Sequence, residues 1–267
     1  MNAATSLLLA STLTIASPTS ISSAQTPTTQ PLTPPVPQPI DPIYTTPPTS
    51  LTTQQGTTMQ HLAADWPQLN RYRADNAKLS PPAAGESRII FYGDSITDNL
   101  GRYIPVPFFP GKPYINRGIS GQTTAQMVVR FRQDVIDLHP AAVLILAGTN
   151  DLAGNTGLSS LPMIEDNMQS MSELAKVHNI RVILASVLPV SDYPWRRGLH
   201  PADEVRTLNT WMKNYAQANG FVYLDYYSAM TNAQVGLDPS ISPDGVHPNA
   251  AGYAIMAPLA EKAIHQA

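Results

Sequence analysis

From Arg88 onward the chain alternates short apolar runs with longer amphipathic stretches, and this alternation constrains the fold more than any other feature. The runs are "RIIFY" (88–92), "YIN" (114–116), "AVLILA" (142–147), "RVILAS" (181–186) and "FVYLDY" (221–226). Between and after them lie "TTAQMVVRFRQDVIDL" (123–138), "LPMIEDNMQSMSELAKVH" (161–178), "ADEVRTLNTWMKNYAQAN" (202–219) and "NAAGYAIMAPLAEKAIHQ" (249–266). Short apolar runs closed by turn residues predict buried strands. Apolar residues three and four apart, such as Ile164, Met168, Met171 and Leu174, predict helices that bury one face. Strands alternating with helices require right-handed crossovers and a parallel sheet covered on both faces. The expectation is an α/β chain, a three-layer α/β/α sandwich around a five-stranded parallel sheet in flavodoxin-like order. Upstream, "ADWPQLNRYRADNAKL" (64–79) predicts a short helix, with Asp65 as N-cap and Pro67 in its first turn.

The first part of the chain has a different character. Residues 1–24 carry no charged side chain, and Ser22-Ser23-Ala24 has the small residues of a signal-peptidase site. They read as an export signal whose n-region lacks Lys or Arg, a charge that an upstream start codon would supply. The apolar part is too short and too polar to span a bilayer. Residues 25–58 are rich in Pro and Thr without periodicity, so they read as a semi-extended linker with no packed core. One folded domain is expected at 59–267. The sequence contains no cysteine, which removes disulfides, thiolate metal sites, a cysteine nucleophile and a lipid-anchored cysteine. Its net charge of −3 offers no basic field for nucleic acid or an anionic membrane surface.

In open parallel sheets, ligands bind beyond the carboxyl ends of the strands, where strand order reverses. Four segments that follow strands therefore draw attention: Gly93-Asp94-Ser95 after the first, residues 116–124 ("NRGISGQTT") after the second, Gly148-Thr149-Asn150-Asp151 after the third, and residues 242–249 ("SPDGVHPN") after the fifth. Each alone has an ordinary explanation as a turn, a cap or a loop. All four at one edge, in this order, are hard to obtain by chance.

On Gly93-Asp94-Ser95, Asn116 to Gly121, Gly148-Thr149-Asn150-Asp151 and Asp244-Gly245-Val246-His247-Pro248, the chain resembles the SGNH (GDSL-type) hydrolase superfamily over roughly Arg88 to Gln266. The resemblance implies an α/β fold and hydrolysis of esters and thioesters without a metal or cofactor. It further implies Ser95 as nucleophile, Gly121 and Asn150 as oxyanion-hole donors, to which the Ser95 amide adds a third, and Asp244 with His247 as the remaining catalytic pair. The chemistry agrees. A serine hydroxyl needs a base to take its proton, an imidazole suits that task near neutral pH, and an Asp three residues earlier can hold the ring in one tautomer. Gly121, before a predicted helix, offers an amide near the positive end of its dipole. Asp94 and Asp151 read as residues that brace these loops. His139 and His178 end predicted helices, where a cation is favourable, and His61, His200 and His265 read as surface residues.

Three other readings fit less well. An α/β-hydrolase nucleophile elbow is G-x-S-x-G, whereas residue 97 is Thr. A metal-dependent phosphoesterase could draw on "GDSITD" and on Asp137 and His139, but no second histidine lies near enough in sequence to suggest a cluster. A non-catalytic carbohydrate-binding module would not need Ser95, Asp244 and His247 together. For the substrate, no inserted lid is visible, so a shallow cleft and short acyl groups are expected. "VSDYPWRRG" (190–198) is expected to bring Tyr193, Trp195, Arg196 and Arg197 near it, where an aromatic face suits a sugar ring or an aryl group. Acetyl esters on polysaccharide are the favoured substrate. Lysophospholipids and acyl thioesters are the alternative, since relatives acting on them share the motifs.

Overall fold

The computed structural model describes residues 63–102 and 107–267, together with positions 53, 57 and 60. The export signal read at 1–24, His61, and all of the Pro/Thr stretch except Thr53 and Thr57 lie outside the described residues. Those two threonines are helical and exposed, and the Thr57 hydroxyl donates to the Thr53 carbonyl at 3.0 Å. At these two positions the semi-extended reading is corrected.

The sheet is five-stranded and parallel. Its strands are β1 (Ile89–Gly93), β2 (Tyr114–Gly118), β3 (Ala142–Leu146), β4 (Arg181–Ala185) and β5 (Val222–Leu224), in the order β2-β1-β3-β4-β5. This is the flavodoxin-like order. The strands send alternate side chains to opposite faces. Ile90, Tyr92, Val143, Ile145, Val182 and Leu184 face one way, against α3 (Thr124–Asp134), α5 (Leu161–Val177) and α6 (Ala202–Asn219). Ile89, Phe91, Leu144, Leu146 and Ile183 face the other way, against α2 (Ser95–Asn99), α7 (Tyr226–Met230) and α8 (Ala250–Gln266). Both faces are therefore core, which is why the strands read as continuous apolar runs. Each large side chain so buried contributes about 1.5–3 kcal/mol.

Several element boundaries differ from expectation. Residues 64–79 do not form one helix: Ala64 is helical, but Gln68 has φ +56°, and the helix resumes only as α1, Arg73–Asn76. Asp65 instead closes a turn, its carboxylate accepting from the amides of Leu69 and Asn70 at 2.8 and 2.9 Å. The stretch 123–138 stops as an α-helix at Asp134 and continues as a 3-10 turn, Ile136–Leu138, that ends at His139 with φ +49°. The fifth strand is shorter than read, because the Asp225 carboxylate accepts from the Ser228 amide and starts α7. Helices α2, α4 (Thr149–Leu152) and α7 were not foreseen. At four or five residues they are too short to show periodicity or to be stable without tertiary contacts.

Strand β1 pairs with β2 on one side and β3 on the other. The segments leaving β1 and β3 thus open a crevice between them, and the predicted residues lie around it.

Candidate active site

Gly93 ends β1, and the chain turns back there so tightly that a side chain would not fit. A Cβ on Gly93 would lie 2.2 Å from the Thr97 hydroxyl and 2.6 Å from the Leu146 carbonyl. Asp94 then caps α2, its carboxylate accepting from the Ile96 amide at 2.9 Å. Ser95 becomes the first residue of α2, and its amide donates to no described residue. Asp94 is 1% exposed, and its second carboxylate oxygen has no hydrogen-bond partner among the described residues. Burial pushes its carboxyl up to about 7, against the opposing pull of the Ile96 amide and nearby His247.

The loop 242–249 wraps around Asp244. One carboxylate oxygen accepts from the amides of Val246 at 2.9 Å and His247 at 2.7 Å. The other lies 2.7 Å from His247 Nδ1. His247 Nε2 in turn lies 2.9 Å from Ser95 Oγ. Partial burial raises the Asp244 carboxyl, but the hydrogen bonds from the His247 ring and from the two amides outweigh it and hold the group below the usual carboxylate range. Just beyond, Asn249 caps α8 by accepting from the amides of Ala251 and Gly252, so the loop is held at both ends.

Gly121 has φ +80°, the left-handed region that favours glycine, and its amide donates to no described residue. It lies in the turn ahead of α3, which begins at Thr124 after Thr123 as N-cap, and not at the helix start itself. Asn150 belongs to α4. Its Nδ2 donates to the Gln122 carbonyl at 3.0 Å, and its Oδ1 accepts from Asn155 Nδ2 at 2.7 Å. Asp151 is buried and ties α4 to α3, accepting from the Thr124 amide at 3.0 Å and from its hydroxyl at 2.5 Å. Burial raises its carboxyl despite these bonds.

Ser95, Gly121, Asn150 and His247 line one open cleft of about 340 Å³, whose wall also includes Asn99, Ser120, Asn155 and Trp195. The loop 190–198 corrects the expected substrate contacts. Trp195 faces the cleft, 46% exposed, with its ring 6.0 Å from that of His247. Tyr193 does not face it. It is fully buried beneath Trp195, rings 5.2 Å apart, with its hydroxyl 3.3 Å from that of Thr149. Nor does Arg196 line the cleft: its guanidinium donates to the carbonyls of Ala153 and Gly154 at 2.8 and 3.2 Å. Arg197 is exposed away from the cleft wall. Asn99, Ser120 and Asn155 were missed, because single polar residues in turns and at helix ends carry no sequence signal. Among the described residues no three His, Asp or Glu side chains converge on a point where they could hold a metal ion.

The fold and the cleft at its switch point define the class, an α/β domain with the parallel-sheet fold of an SGNH hydrolase. The chain belongs to the GDSL-like lipase/acylhydrolase family, whose sequence profile matches residues 91–255. It is similar to a GDSL-like lipase from Bacteroides thetaiotaomicron of known structure, with 43% identity, a TM-score of 0.72, and coverage of 75% of this chain and 98% of that one. It is also similar to an acetylxylan esterase from Geobacillus stearothermophilus, 24% identical over 202 residues that make up 64% of this chain and 90% of the esterase. A shorter match, 35% identical over 80 residues, is to the uncharacterized lipoprotein YqeF of Bacillus subtilis. It covers 28% of this chain and spans only 32% of the lipoprotein's length.

Proposed function

We propose that this chain is an exported serine esterase that hydrolyses short-chain, acetyl-type carboxylic esters carried on carbohydrate or aryl groups. The observation that carries the reading is the continuous hydrogen-bonded series from Asp244 through His247 to Ser95 beside unpaired amides. As Ser95 Oγ attacks the ester carbonyl carbon, His247 Nε2 takes its proton, and Asp244 stabilises the imidazolium and its orientation. Negative charge develops on the former carbonyl oxygen, where the amides of Ser95 and Gly121 and the Asn150 side chain are available as donors. Each such donor lowers the barrier by about 2.7–4 kcal/mol. Collapse expels the alcohol with the proton from His247. Water, activated by the same histidine, then hydrolyses the acyl-serine.

Support for the substrate class comes from the shape of the cleft. It is open, with one exposed indole face that suits a sugar or aryl ring. The acetylxylan esterase relative agrees with this reading, and the uncharged, small-residue stretch 1–24 supports export. Among the described residues no helix is long and apolar enough to cross a membrane. The test is hydrolysis of p-nitrophenyl esters from acetate to decanoate, beside acetylated xylan and lysophosphatidylcholine. Activity should fall with chain length, appear on acetylated xylan, and drop to background in Ser95→Ala. A preference for decanoate or for lysophosphatidylcholine would point to a lysophospholipase instead.

A further inference from the structure

Helix α4 presents Asn150 to the cleft, yet it has only four residues and no side-chain cap. The loop 190–198 holds it from outside through three consecutive contacts. Tyr193 reaches Thr149, Arg196 binds the carbonyls of Ala153 and Gly154, and Trp195 Nε1 donates to Asn155 Oδ1 at 3.0 Å. The third contact carries chemical information. An indole N–H can only donate, whereas a carboxamide can be turned either way round. By donating, Trp195 fixes Asn155 with its oxygen toward the indole, which leaves Asn155 Nδ2 to donate at 2.7 Å to Asn150 Oδ1. Asn150 is fixed in turn, and the Gln122 carbonyl, which accepts from Asn150 Nδ2 at 3.0 Å, favours the same orientation. One N–H of Asn150 then remains for the cleft.

We infer that Trp195 and Asn155 are positioning residues, a relay in which the indole N–H sets the polarity of two amides and so aims the Asn150 N–H at the developing oxyanion. The inference rests on the reading of Asn150 as an oxyanion donor. Trp195 and Asn155 both line the cleft, so a substrate ring lying on the indole also shields the relay from water that would compete for its hydrogen bonds. Occupation of the leaving-group side thereby stiffens the donor on the acyl side.

The test compares the full chain with Trp195→Phe, Asn155→Ala, their double variant and Asn150→Ala. Each is assayed for kcat and KM on p-nitrophenyl acetate and for inhibition by phenylboronic acid, whose tetrahedral serine adduct places an oxygen where the oxyanion would sit. Trp195→Phe keeps an aromatic face but has no N–H. The two single variants should each lose about tenfold in kcat, as a donor that is misaimed rather than removed, with KM changed less than about twofold. Boronate affinity should fall in step with kcat, and the double variant should be no worse than the poorer single one. If Asn150→Ala retains activity, the oxyanion reading fails. If Asn150→Ala is inactive while both single variants keep wild-type kcat, or change KM alone, the relay is overturned and the oxyanion reading stands.

Discussion

His247 and Asp244 sit on one short loop, and the proposed mechanism gives them separable tasks. With His247 proposed to move the proton, His247→Ala should lose about as much kcat as Ser95→Ala, on the order of 10⁴-fold or more. Asp244 is proposed to orient the ring and stabilise its charge, while its other oxygen holds the loop amides of Val246 and His247. Asp244→Ala should therefore be damaging but clearly less so than His247→Ala, since a neutral imidazole still samples the productive tautomer. The double variant should match His247→Ala, because nothing remains to be oriented. Kinetics on p-nitrophenyl acetate from pH 5 to 9 check this, and equal, additive losses would show that Asp244 acts independently of the histidine.

Among the elements, α3 does more than cover the sheet. Arg130 on its inner face is fully buried, with its guanidinium 4.2 Å above the Tyr92 ring. It donates to the Gly93 carbonyl at 3.0 Å, the Arg117 carbonyl at 2.9 Å and Gln122 Oε1 at 2.5 Å, and it pairs with buried Asp134 at 3.1 Å. One side chain thus joins the ends of β1 and β2 to the turn that leads to Gly121. Removing it leaves the Asp134 charge buried without its partner, so Arg130→Met should cost about 3–5 kcal/mol and lower the thermal midpoint by roughly 10 °C. Replacing both residues, Arg130→Met with Asp134→Leu, should recover part of the loss. Thermal melts of the two single variants and the double check this, and simple additivity would mean that the pair is not coupled.

For the chain as a whole, the described segment ahead of β1 packs on the sheet and helices although little of it is regular. Gln122, Gln126 and Gln133 donate to the carbonyls of Pro67, Trp66 and Leu69. Tyr72 is buried with its hydroxyl bonded to the Gly118 carbonyl and the Arg117 guanidinium over its ring. Asn76 bonds Asp134 and Arg117. Deleting residues 1–58, the export signal read at 1–24 with the Pro/Thr-rich stretch at 25–58, should leave the melting transition and turnover of soluble esters near wild type. Deleting 1–76 removes the docked segment as well and should abolish cooperative melting. A tenfold fall in kcat for the shorter deletion would show that the Pro/Thr stretch docks on the domain.

Local patterning accounts for the five strands and the long helices. Burial on both faces writes itself into neighbouring residues as apolar runs and three-to-four spacing, which need no knowledge of distant contacts. The placement of Ser95, Gly121, Asn150, Asp244 and His247 on one edge was legible for the same reason, since a parallel sheet sends every segment that follows a strand to that edge. Other features depend on partners far along the chain, and local patterning holds no trace of them. Arg130 reads as one more charge on an amphipathic helix, yet it lies in the core because carbonyls from β1 and β2 converge on it. Tyr193, Trp195 and Arg196 are near neighbours in sequence that point into the core, into the cleft and onto the α4 backbone. The orientation of the Asn150 amide comes from Asn155 and Trp195, because a carboxamide has no preferred way round until a donor and an acceptor from elsewhere in the fold are set against it.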